Sequence, residues 1–145
     1  MRNRKQETGN EKPVNEEDAP AGDYRMKGDD IADRLVALAV AIIKLVDALP
    51  DTPAGKHVAG QLLRAGTSPG ANYEEARGAE SKRDFLHKIG VTLKELQETR
   101  YWLQVVTGSN LLKDHPVGDV LCEAEELCRI IGASKRTLRT APGNT

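Results

Sequence analysis

The chain has 145 residues and a mass of 15.8 kDa, enough for one folding unit with its own core and too little for a two-domain enzyme. Its 21 Lys and Arg stand against 22 Asp and Glu, a formal net charge of −1. A strongly basic nucleic-acid binder and an acidic solvating chain are both excluded as defaults, and any charge-driven partner must meet a local patch. One Trp, one Phe and three Tyr are too few for a base-stacking surface or a β-sandwich core, so the composition is that of a helical protein.

The opening Met1-Arg2-Asn3-Arg4-Lys5 is basic, but no apolar h-region follows it, so the start does not read as a secretory signal. Residues 1–30 carry six basic and eight acidic side chains, with Val14, Tyr24 and Met26 as the only sizeable apolar groups after Met1. Too little apolar surface is present to offset the entropy of ordering this segment, which reads as a disordered N-terminal tail. Its charge of −2 leaves +1 on residues 31–145. The longest apolar stretch, Leu35 to Ile43, is too short to span a membrane.

Asp29 or Asp30 caps a first predicted helix that runs to Leu49. Ile31, Leu35, Leu38, Ile42, Leu45 and Leu49 repeat at steps of four and three. Ile43 and Val46 widen this seam, so helix one is expected to be heavily buried. Thr52-Pro53 places a cap before a proline at the first helical position and opens helix two. Val58, Leu62 and Ala65 point inward, and Gly66 with Pro69-Gly70 predicts a kink or short break. Ser81-Lys82-Arg83-Asp84 resembles a capping box and opens helix three, with Leu86, Ile89, Leu93, Leu96 and Leu103 at helical spacing and Thr107-Gly108 as its stop. Asp114 or His115 before Pro116 starts helix four, on which Val117, Leu121, Ala124, Cys128 and Ile131 form one seam. Residues 141–145 should fray. Four helices joined by short turns fold most simply as an all-α, antiparallel up-down-up-down four-helix bundle over residues 31–140. The only cysteines, Cys122 and Cys128, lie six residues apart on helix four, about 9 Å along its axis. They cannot bridge each other, and with the missing signal they point to a reducing cytoplasm.

The run from Gln61 through Arg64-Ala65-Gly66-Thr67-Ser68-Pro69-Gly70-Ala71-Asn72-Tyr73-Glu74-Glu75-Ala76 is followed by Glu80-Ser81-Lys82-Arg83-Asp84-Phe85, Leu93-Lys94-Glu95 and Tyr101-Trp102-Leu103. This ordered string resembles the bacterial four-helix-bundle proteins related to those encoded in 23S ribosomal RNA intervening sequences. The likeness covers roughly residues 31–140. Leu63 stands where a second Arg is frequent, Pro69 where Ile is usual and Ala76 where Gly is usual. The resemblance implies a left-handed antiparallel bundle, often assembled as a ring of five, with no established catalytic activity. More distantly similar are the accessory proteins of diversity-generating retroelements, which share bundle and pentamer and bind a reverse transcriptase and nucleic acid through basic surfaces.

Three constellations are candidates for function. Gln61, Arg64, Ser68, Asn72 and Glu75 step by three and four. They form either a polar patch for a ligand or partner, with Arg64 reaching a phosphate or carboxylate, or an internal network in which Arg64 pairs with Glu75 or another helix's carboxylate. A small-ligand or hydrolytic site at Arg64, Ser68, Asn72 and Glu75 is the corresponding enzyme reading. Arg83, His87 and Lys94 share a face of helix three and form either an RNA-phosphate stripe or a solvated face. Tyr101, Trp102, Val105 and Val106 wrap helix three too widely for one core face and are assigned to an oligomer interface, with a loop-covered helix end as the other reading. His57, His87 and His115 are nearly thirty residues apart with no ligand-spaced partner, so no metal or other cofactor is expected. No nucleophile elbow or phosphate loop occurs. The resulting expectation is a non-enzymatic, self-associating scaffold, a pentamer by resemblance, for RNA or a protein partner and without membrane contact. A retroelement-accessory-like nucleic-acid binder is the alternative.

Overall fold

A computed structural model describes residues 28–141. The tail assigned to residues 1–30 and the frayed end at 141–145 therefore lie almost wholly outside the described residues. Four helices follow in order: α1 (Asp29–Asp47), α2 (Pro53–Arg77), α3 (Lys82–Ser109) and α4 (Val117–Thr140). Short connections turn the chain back each time. α1 packs on α2, α2 on α3 and α3 on α4, and the ring closes where α4 meets α1, the loosest of the four seams.

Local chemistry sets the helix ends. Thr52 is extended, and its hydroxyl accepts the Gly55 N–H at 3.0 Å, with Pro53 following where its absent N–H leaves nothing unsatisfied. Ser81 does the same for α3, accepting from the Asp84 N–H at 3.1 Å. α1 has no side-chain cap. Gly28 is its N-cap, and Asp29 and Asp30 instead occupy the first turn, where carboxylates oppose the positive end of the helix dipole. α3 runs past the expected stop at Thr107-Gly108 to Ser109 and ends on Asn110, whose φ of 55° is a left-handed cap that Asn tolerates better than most residues.

Leu35, Leu38, Ile42, Leu45, Leu62, Ile89, Leu96, Leu103, Leu127 and Ile131 fill the core. α2 is unbroken through Pro69, so of the expected kink or short break the break does not occur. Pro69 is buried, and two glycines flanking it let α1 sit close. A Cβ on Gly66 would lie 2.7 Å from both Ile42 Cγ1 and Cγ2, and one on Gly70 would touch Leu35 Cβ at 3.6 Å. This tight α1–α2 packing holds a helix that proline alone would weaken.

α1 is less enclosed than its apolar sequence suggests. Ile43, expected to add to the buried seam, is 44% exposed, beside Val40 at 45% and Val36 at 60%. The cause is the loose α4–α1 seam: α1 is backed mainly by α2, and its outer side is left open. Arg34 bridges that seam, donating from Nε and Nη2 to the two carboxylate oxygens of Glu123 at 2.8 and 3.0 Å, with Glu126 3.3 Å away. The Glu123 hydrogen bond raises the already high guanidinium pKa further.

Candidate functional site

The polar row on α2 faces α3. The Arg64 guanidinium donates to Glu98 and, at 3.4 Å, to both Glu95 and Gln61. Arg64 thus takes another helix's carboxylates, and Glu75 is paired elsewhere, accepting from Lys88 Nζ at 2.7 Å. That bond holds the Lys88 ammonium above its ordinary pKa. Asn72 donates its amide to the Ser68 carbonyl at 3.0 Å, one turn back on its own helix. Among the described residues no base is hydrogen-bonded to the Ser68 hydroxyl. With both carboxylates seated on it, Arg64 offers little net positive field to an incoming anion.

The aromatic cluster of α3 divides by depth. Val106 is fully buried and belongs to the core, so it has no surface for a second chain and its assignment to an oligomer interface is corrected. The reason is the following loop. Leu111 donates its N–H back to the Val106 carbonyl at 3.4 Å, and Leu111 and Leu112 fold over the end of α3 onto the core. Trp102 and Val105 are half-buried and pack on the same core. Trp102 stands edge-on to His57 at 5.8 Å and to Tyr101 at 5.0 Å, with its N–H directed at Glu98. Tyr101 alone of the four is well exposed, at 55%.

The apolar surface left over is instead on α1. Val36, Val40 and Ile43 stand at i, i+4 and i+7, an aliphatic stripe along the outer side of the helix, and Leu63 of α2 is exposed as well. The sequence carried the signal: these residues lie opposite the Leu35–Leu38–Ile42 seam, so α1 is apolar on two sides.

Arg83, His87 and Lys94 are all exposed on α3. Gly90, on the same row, faces α4, since a Cβ there would lie 3.2 Å from Lys135 Nζ. The stripe therefore borders α4 rather than α2.

Among the described residues no three His, Cys, Asp or Glu side chains converge as metal ligands, and no helix is long and apolar enough to cross a membrane. Both cysteines are free. Cys122 is exposed, and Cys128 is buried, which raises its thiol pKa. A groove of about 760 Å³ opens where the α1 start diverges from the α4 end, floored by Tyr73, Phe85, Ile89 and Ile131. Burial raises the pKa of the Tyr73 phenol against the opposing pull of Arg77.

The molecule is thus an antiparallel four-helix bundle with a salt-bridged α2–α3 face and an aliphatic outer helix. Residues 29–133 match the model of the 23S rRNA-intervening sequence protein family, and the chain belongs to that family. It is similar to a protein of unknown function from the S23 ribosomal protein family of Bacteroides thetaiotaomicron, whose crystal structure superposes with a TM-score of 0.68 at 30% identity. The match covers 74% of this chain and 99% of that one. Neither description names an enzymatic activity. No curated protein matches the chain.

Proposed function

We propose that this protein is a non-catalytic cytoplasmic scaffold whose copies associate through the outer side of α1, as a ring of five by family resemblance, to hold RNA or a protein partner. The observation that carries the reading is the exposed row Val36, Val40 and Ile43, with Leu63 on the neighbouring helix. Four bulky aliphatic side chains on adjoining helices are costly to leave in water, at about 25 cal/mol per Å² of apolar surface, and a second copy covers them. The charged residues nearest the row, Asp33, Lys44 and Asp47, are all exposed and stand at its edges, as in a subunit contact with a polar rim.

Light scattering on the full chain at micromolar concentration tests it. The expected mass is five times the 15.8 kDa of one chain, and Val40→Glu with Ile43→Glu should reduce it to the single-chain value with helicity unchanged. Tyr101→Glu, on another helix, should leave the assembly intact. A wild-type chain that is monomeric under these conditions sinks the reading.

A further inference from the structure

Among the described residues some cations of this bundle are paired and others are not, Lys44 on α1 and Lys113 in the loop after α3 being among the second group. Arg34, Lys56, Arg64, Arg77 and Lys88 are each held by carboxylates. By contrast, Lys94, Arg129, Lys135, Arg136 and Arg139 make no salt bridge among the described residues, and of these only Lys135 is even half-covered. From Leu127 to Thr140 the α4 sequence contains no Asp or Glu at all.

Two glycines show that these side chains share one seam. On α4, Arg129, Gly132, Arg136 and Arg139 step by three, four and three and so form a single row. Gly132 faces α3, since a Cβ there would lie 4.0 Å from the Leu93 methyls and 3.6 Å from an Arg136 guanidinium nitrogen. On α3, Arg83, His87, Gly90 and Lys94 form the matching row, and Lys135 reaches across to Gly90. Each row contains the small residue against which the other helix rests, so the two cationic rows run side by side. The α4 row is about 15 Å long and the α3 row about 16 Å, from the helical rise per residue.

We propose that this α3–α4 face binds the phosphodiester backbone of a nucleic acid. Its length spans several phosphates, spaced by about 3.4 Å along the axis of each strand of a duplex. The cations are spread along two lines and do not converge on one point, which suits a polymer of charges and not a single phosphate. The bulky apolar neighbours, such as Leu93, Cys128 and Ile131, point inward, leaving nothing to insert into a lipid layer. No Phe, Tyr or Trp lies in either row, so contact is mainly to backbone and tolerant of sequence. Glu125, one turn before Arg129, closes the patch at one end. The net charge of −1 is no obstacle, because a local run of cations attracts phosphates at short range whatever the average charge of the chain. The site does not require self-association, since α1 is not part of it.

Fluorescence anisotropy with the full chain tests the proposal, using labelled RNA and DNA duplexes and the corresponding single strands. Wild type should bind at low salt, with log affinity falling linearly with log salt. Lys135→Glu with Arg136→Glu should weaken binding by roughly tenfold or more and flatten the salt slope by about one unit per lost phosphate contact. Lys94→Ala and Arg139→Ala, each alone and at exposed positions, should each flatten it by up to about one unit, which keeps the test open should the double variant fold poorly. Lys56→Glu makes a charge reversal off the seam and should change affinity little. No binding to any duplex or strand at low salt overturns the proposal, as does an equal loss from Lys56→Glu. Tighter salt-sensitive binding to phosphatidylserine vesicles or to an acidic peptide than to nucleic acid also overturns it. Light scattering in parallel separates this from the assembly reading, since a monomer that binds supports the cationic face and defeats the α1 contact.

Discussion

Single glycines decide how closely the helices approach. Gly66 is seated against Ile42 so tightly that any side chain must push α1 outward. Gly66→Val should therefore cost about 1–3 kcal/mol, the usual penalty for overfilling a packed interior, read as a lower urea midpoint. Gly60 lies on the same helix, and a Cβ added there would meet nothing within 4 Å. Gly60→Ala should raise stability by about 0.4–1 kcal/mol through the reduced freedom of the unfolded chain and better helix propensity. Equal effects of the two substitutions would mean that Gly66 is not the point of closest approach. The same scale explains why Arg64 is ambiguous in the sequence. Helical spacing puts it in a row with Glu75, but only the packing of α3 reveals Glu95 and Glu98 as its partners and Lys88 as the partner of Glu75.

Helices with side-chain caps and helices without them coexist in this bundle. Thr52→Ala and Ser81→Ala each remove one hydrogen bond to an otherwise unpaired N–H, and each should lower unfolding free energy by about 1 kcal/mol. The two caps share no partner, so the double variant should lose close to the sum in a denaturant titration. A loss much smaller than this would show that water replaces the caps at little cost. All four helices are legible from leucine spacing and from the Thr-Pro and Ser-x-x-Asp starts, because those signals are local. What escapes depends on neighbours: Pro69 stays within α2 because α1 clamps the helix around it, and Val106 is interior because Leu111 and Leu112 fold back over it. The outer row of α1 is readable as Val36, Val40 and Ile43 opposite the buried seam, yet local spacing does not say whether a neighbouring helix covers that second side. The α4 cations are plain in the sequence, but their alignment with Arg83 and Lys94 emerges only once Gly90 and Gly132 are seen to face each other's helices.

At the scale of the molecule, the aliphatic row and the cationic seam lie on different helices, so one can be covered while the other stays open. If copies cover α1, folding and association are linked, and the thermal midpoint should rise by a few degrees for each tenfold increase in protein concentration. Val40→Glu with Ile43→Glu should abolish that dependence. A midpoint independent of concentration in wild type would argue that α1 faces water. The lone indole supplies an optical gauge for such experiments. Trp102 stands edge-on to His57 of α2 and to Tyr101 of α3, with its N–H directed at Glu98, so its ring contacts are with α2 and its own helix. Its emission therefore registers parting of the α2–α3 pair, while ligands or copies docking at the other faces leave its colour unaltered, so melting and docking can be followed separately in one cuvette.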